Sequence, residues 1–153
     1  MFLAIGSDHA GYALKEEIKV FLSRQHEMSD VGTFSEESCD YPDYAEKVCQ
    51  LVLSGKCERG ILICGTGIGM SIRANRFNGI RAALCHDTFT ANRAREHNDA
   101  NVIALGSQVV DPALAKELVT IFLKTGFDSA DKKNERHFRR IVKLDTPVKT
   151  STL

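Results

Sequence analysis

Five short apolar runs alternate with amphipathic stripes along this chain, and that alternation constrains its fold more than any other feature. The runs are Phe2–Ile5, Glu27–Val31, Gly60–Cys64, Ile80–Cys85 and Asn101–Leu105. Most lack a strict polar–apolar alternation, as strands buried on both faces of a parallel sheet do. Between them, Leu14, Ile18, Phe21 and Leu22 recur at the spacing of one helix face. Tyr44, Val48, Leu51 and Val52 repeat that spacing, and so do Leu114, Leu118, Ile121 and Phe122. Each stripe suits a helix lying on a sheet. Asp111-Pro112 supplies an N-cap followed by proline in the first turn. The expected fold class is α/β: a single-domain, doubly wound, Rossmann-like αβα sandwich with a five-stranded parallel sheet.

Bulk properties set the function classes. At 153 residues, 43% hydrophobic and 26% charged, the chain is long enough for one domain with a proper core. Twenty basic and twenty acidic residues cancel. No basic field is there to recruit nucleic acid or a membrane surface. The first apolar run ends at Gly6 with no basic region before it, so no signal peptide is expected. No apolar stretch is long enough to span a bilayer. Five cysteines, an odd number without a CxxC or a Cys/His metal spacing, read as free thiols in a reducing cytoplasm. No metal is expected. The domain is expected over residues 1–144, with Asp128–Asn134 a polar loop, Glu135–Leu144 a final basic helix, and 145–153 a loose tail.

In doubly wound sheets, ligands bind beyond the carboxyl ends of the strands. Asp8-His9, the stretch from Cys64 to Gly69, and His86-Asp87 all follow apolar runs and should share that edge. Ile61-Leu62-Ile63-Cys64-Gly65-Thr66-Gly67-Ile68-Gly69 is a strand that ends in cysteine and opens a helix through glycines. A buried structural cysteine is the ordinary reading. A thiol facing a helix N-terminus, however, is expected to have thiolate character and to act in catalysis. Six positions on stands Met70, where a cysteine phosphatase needs arginine, so Cys64 reads as a base rather than a phosphate nucleophile. Gly65, Gly67 and Gly69 form neither a GxGxxG nor a P-loop. Their N–H groups could hold a phosphate or a developing oxyanion, beside the Thr66 hydroxyl.

Asp8 and His9 read either as a helix cap with a surface histidine or as substrate-orienting groups. His97-Asn98, between a helix and the last strand, suits a helix-end cap or proton transfer to a sugar oxygen. Arg136 and Arg140, four apart, share a helix face that is either solvated charge or a phosphate clamp, with His137 and Arg139 pointing elsewhere. Cys39, Cys49, Cys57 and Cys85 read as structural or incidental.

Taken together, residues 2–144 resemble the type B ribose-5-phosphate isomerases, within the wider family that includes the galactose-6-phosphate isomerase subunits. The resemblance lies in Gly6-Ser7-Asp8-His9-Ala10-Gly11, Asp40-Tyr41-Pro42, Ile63 to Gly69, Ala74-Asn75, Gly79-Ile80-Arg81-Ala82, Arg95 to Asn101 and Arg136-His137. It implies an aldose–ketose isomerase, without cofactor, that interconverts ribose 5-phosphate and ribulose 5-phosphate through a cis-enediolate. It further implies Cys64 as the base and His97 as the ring-opening group, with Thr66 and Asp8 assisting. Asn98 and the N–H groups from Gly65 to Gly69 would stabilise the enediolate. His9, Arg136 and Arg140 would bind the phosphate, and Tyr41 would line the pocket. The resemblance also implies a homodimer or tetramer whose sites are shared between subunits. Gln108 departs from an arginine common in the family. Alternatives are a hexose 6-phosphate isomerase acting on allose or galactose 6-phosphate, and a non-catalytic phosphosugar-binding module.

Overall fold

The computed structural model describes residues 1–127 and 135–147. The expected loop Asp128–Asn134 and residues 148–153 of the expected tail lie outside the described residues. Five parallel strands form one sheet in the order β2-β1-β3-β5-β4. They are β1 (Phe2–Ser7), β2 (Glu27–Asp30), β3 (Arg59–Cys64), β4 (Ala82–Leu84) and β5 (Val102–Gly106). The helices are α1 (Tyr12–Leu22), α2 (Tyr41–Leu53), α3 (Ile68–Ala74), α4 (Thr88–Glu96), α5 (Pro112–Lys124) and α6 (Glu135–Asp145). This is the doubly wound α/β fold expected.

Strand alternation divides the core into two layers. Leu3, Ile5, Ile61, Ile63, Ile103 and Leu105 face α1, α4 and α5, where Leu14, Ile18, Ala94, Leu118 and Phe122 meet them. Ala4, Leu62, Cys64, Val102 and Ala104 face α2 and α3, against Val48, Met70 and Ala74. The second layer is built from smaller strand residues, so α2 and α3 lie close to the sheet. Gly60 belongs to it: a Cβ there would come within 2.7 Å of Val48. Burial of these side chains is the main favourable term in folding.

Caps follow the sequence closely. The Asp111 carboxylate accepts from Leu114 N at 2.9 Å, with Pro112 opening α5. Asp87 caps α4 by accepting from Thr90 N at 2.7 Å. The strand ends differ from expectation. β1 runs on through Gly6 and Ser7, which pair with Leu62 and Ile63. β4 is shorter than Ile80–Cys85. The Arg81 and Ala82 N–H groups donate to the side chains of Asn101 and Asn75, not to a strand. β2 is an edge strand, and its residues are partly exposed instead of buried on both faces.

The connection from β1 leaves toward β2, whereas that from β3 crosses toward β4. The chain therefore diverges between β1 and β3, and a cleft opens beyond their carboxyl ends.

Candidate active site

Register aligns the two strand ends at this cleft. Ser7 pairs with Ile63, which sets Asp8 beside Cys64. The β1 turn packs tightly here, and a Cβ on Gly11 would sit 2.6 Å from the Ile63 carbonyl oxygen. The Asp8 carboxylate accepts from Gly11 N at 3.0 Å, which fixes the turn. Ser107, just past β5, joins the strand ends: its hydroxyl donates to the carbonyls of Ala10 at 2.7 Å and Cys64 at 3.2 Å. Nothing in the sequence pattern marked Ser107.

Cys64 is buried, and its Sγ accepts a hydrogen bond from Gly67 N at 3.1 Å. Gly67 has φ +77°, the left-handed region that disfavours a side chain. That conformation turns its N–H back toward the sulfur. Thr66 is exposed, and its Oγ1 accepts from Ile68 N at 3.3 Å. The N–H groups of Gly69 and Met70 follow in the same first turn of α3, where a helix has no internal partner for them. Gly69 lies under the Tyr41 ring, so a Cβ there would come within 2.5 Å of Tyr41 Cζ. A Cβ on Gly65 would lie 3.4 Å from the Gln108 amide, which brings Gln108 to the rim of the same loop.

His9 flanks the cleft, and its Nδ1 accepts from Cys39 N at 3.2 Å. The proton of the neutral ring then sits on Nε2, ready to donate. Cys39 thus has a positional role through its backbone. Burial, the leading cause in each case, pushes the Cys49 thiol up to about 12 and the Cys85 thiol up to about 11. It also raises Cys57. These thiols are inert core groups. Asp8, His9, Tyr41, Cys64, Gly65, Thr66, Gly67 and Gly69 therefore gather at one edge.

His97, Asn98, Arg136 and Arg140 do not join them. His97 follows α4 and precedes β5, so it lies at the amino-terminal edge of the sheet. Gly60 pairs with Val102, and Cys64 is four residues further along β3. At about 3.3 Å per residue the two edges are roughly 13 Å apart. α6 runs along this second edge. Arg81 holds its end, donating to Asp145 at 2.7 Å and to Asp99 at 3.0 Å. His137 of α6 stacks on His97 with ring centroids 4.1 Å apart. The sequence reading pointed His137 away from the functional face, yet it is the buried member of the Arg136–Arg140 stretch. Its spacing of four from buried Ile141 is the signal that could have found it. Beside exposed Asn98 opens a cavity of about 460 Å³, lined by Asn75, Ile80, Arg81, Ala82, Ala83, Ala100 and Leu144.

Among the described residues, no three His, Cys, Asp or Glu side chains gather as a metal site. No helix among them is long and apolar enough to cross a membrane.

The fold and its strand-end cleft define a doubly wound α/β protein in which a small anion can sit beside a thiol and a row of N–H donors. The chain belongs to the ribose/galactose isomerase family, which it matches over residues 3–144. It is 46% identical to ribose-5-phosphate isomerase B of Escherichia coli strain K12, covering 91% of each chain. It is 48% identical to D-erythrulose-4-phosphate isomerase of Pectobacterium atrosepticum, over 82% of this chain and 84% of that one. The solved structure of Clostridium thermocellum ribose-5-phosphate isomerase B superposes with a TM-score of 0.90 at 50% identity, over 95% of each chain.

Proposed function

We propose that this protein interconverts ribose 5-phosphate and ribulose 5-phosphate by an enediolate mechanism with Cys64 as the base. The observation that carries the reading is Cys64 Sγ at the carboxyl end of β3, with the Gly67 N–H 3.1 Å away and Asp8 on the neighbouring strand end. Cys64 removes the C2 proton of the open-chain aldose and returns it to C1. The charge that develops on the substrate oxygens meets the N–H groups of the Gly65–Gly69 turn and the Asn98 amide. Thr66 and Asp8 assist proton transfers among the hydroxyls. His9, Arg136 and Arg140 hold the phosphate, and Tyr41 closes the pocket over Gly69. His97 opens the furanose ring.

This assignment requires two copies of the chain. His97, Asn98, Arg136 and Arg140 stand at the opposite edge from Cys64, so one protomer's second edge completes its partner's cleft in a homodimer. Exposed apolar side chains near that edge and on α4 fit burial against a second copy: Phe138 is 50%, Leu144 62% and Phe89 67% exposed. The five free cysteines suit the cytoplasm.

The test is NMR of ribose 5-phosphate in D2O. Ribulose 5-phosphate carrying deuterium at C1, formed by the wild type and not by Cys64→Ala, is the expected result. Turnover retained in Cys64→Ala would overturn the base assignment. A four-carbon substrate is the second reading, because the Pectobacterium relative is named for erythrulose 4-phosphate. Competition among ribose 5-phosphate, erythrose 4-phosphate and allose 6-phosphate at equal concentration separates the readings. A thermal shift with sugar phosphate but no exchange would leave only a binding module.

A further inference from the structure

His97 is held by a built environment at the end of α4. The His137 ring lies flat against it, 4.1 Å between centroids and 13° from parallel. His137 is buried, although Arg136, Phe138, Arg139 and Arg140 beside it on α6 are exposed. Two imidazoles stacked this closely, one of them buried, cannot both carry charge without strong repulsion. Each ring also meets an arginine. Arg93 Nη1 is 3.2 Å from His97 Nε2, and Arg136 Nε donates to His137 Nε2 at 3.4 Å. A guanidinium has donors only, so in both contacts the imidazole nitrogen supplies the lone pair. A neutral ring with its proton on Nδ1 is the form that satisfies each arginine contact.

The surrounding charges act the same way. Burial, then His97, Arg136 and Arg140, holds His137 below the ordinary imidazole value, and only Glu96 opposes them. Arg93 itself is fixed by pairing with Glu96 and by stacking over Phe89, 5.2 Å from its ring centroid. Asp99, the other nearby acid, is occupied by Arg81 and Arg95.

We propose that His137 is a positioning residue for His97: its stacked ring, with Arg93 and Arg136, holds the His97 imidazole in one orientation and as the neutral Nδ1–H tautomer. The inference rests on the ring-opening role proposed for His97. In that role the Nε2 lone pair takes the proton of the anomeric hydroxyl. The imidazolium then returns it to O4 as the C1–O4 bond breaks, leaving the aldehyde and a 4-hydroxyl. Arg93 gives up Nε2 to the substrate because Glu96 remains as its acceptor. A His97 already charged at rest could not begin this cycle.

The test uses 15N-labelled histidine in the full-length protein, with the wild type, His137→Gln and His137→Phe. Long-range 15N–1H spectra read the tautomer and titration midpoint of His97. The wild type is expected to show the Nδ1–H tautomer across neutral pH. In His137→Gln the stacking face is lost and water reaches His97. Its midpoint should rise by about half a pH unit or more, within the spread histidines show in proteins. The acidic limb of kcat/KM for ribose 5-phosphate should rise with it. His137→Phe keeps a flat ring and should keep the wild-type tautomer, which separates positioning from mere folding. An unchanged His97 tautomer and midpoint in His137→Gln would overturn the proposal. Full ribose 5-phosphate turnover by His97→Asn, with the His97 midpoint still shifted in His137→Gln, would instead overturn the ring-opening role and leave the positioning effect standing.

Discussion

Cys64 ends β3 at the carboxyl edge of the sheet, and His97 ends α4 at the amino edge, so the two stand on opposite sides of the same protomer. A parallel sheet forces this separation. A residue that follows a strand and a residue that follows the returning helix are always at opposite edges. The reaction proposed above, which uses both side chains, would draw them from two chains.

Mixing mutants tests that consequence directly. Cys64→Ala and His97→Asn homodimers should each turn over ribose 5-phosphate poorly. After joint unfolding and refolding at equal amounts, half the dimers are mixed, and each mixed dimer has one site free of both substitutions. Activity should recover to about a quarter of wild type. If both residues served one chain's own site, mixing would restore nothing.

Two of the three glycines in the Gly65–Gly69 turn have different duties. Gly67→Ala forces a side chain onto φ +77° and within 2.6 Å of Leu84 Cδ1. It should cost about 2 kcal/mol of stability and displace the N–H from Cys64. Denaturant unfolding and kcat check both effects. Gly69→Ala meets only the Tyr41 ring, which is 38% exposed and can swing away. That variant should stay as stable as wild type while KM rises about tenfold, equivalent to ~1.4 kcal/mol of binding.

Acid sensitivity should concentrate at Asp30. Burial alone would raise this carboxyl, but hydrogen bonds from Lys15, Lys19 and Gly32 outweigh it and hold it below the usual aspartate value. Lys15 is fully buried, 2.6 Å from Asp30. The folded-state value is depressed, so the stabilisation is complete above the unfolded aspartate value near ~3.9 and is lost as pH falls through the folded one. Asp30→Asn should lower stability at pH 7 by about 3 kcal/mol. It should also flatten the loss of stability between neutral and strongly acid pH. Unfolding curves measured across that range would refute this if both proteins fell in parallel.

Arg81 ties the end of α6 to the turn before β5 through Asp145 and Asp99. Arg81→Ala should loosen α6, which carries Arg136, His137 and Arg140. Hydrogen exchange should speed up in α6 and leave the β1, β3 and β5 amides protected. KM for sugar phosphate should rise more than kcat falls, because the arginines proposed to bind phosphate lose their mounting.

Much of this was legible in the chain itself. The apolar runs marked β1, β3 and β5 because strands buried on both faces need continuous hydrophobic residues. Leu14, Ile18 and Leu22 gave the core face of α1 for the same reason, and all three are buried. Asp111-Pro112 opened a helix as capping chemistry requires. Phe21 of the same stripe is 41% exposed, because the sheet covers only part of that face. The start of β4 was not legible because the side chains of Asn101, twenty residues on, and Asn75, seven residues back, accept from the Arg81 and Ala82 N–H groups. His137 was misdirected for a similar reason: its helix face has meaning only once His97 lies across from it.

The sequence by itself determined the local elements, the strand-end position of Cys64 and the glycine turn behind it. These depend on periodicity and backbone freedom, which act between near neighbours. Only the tertiary structure decided that Tyr41 covers Gly69. It also decided that Lys15 is buried against Asp30 and that His97 and His137 share one stack. Those pairings join residues distant along the chain or on separate elements, and they are set by how the helices pack on the twisted sheet.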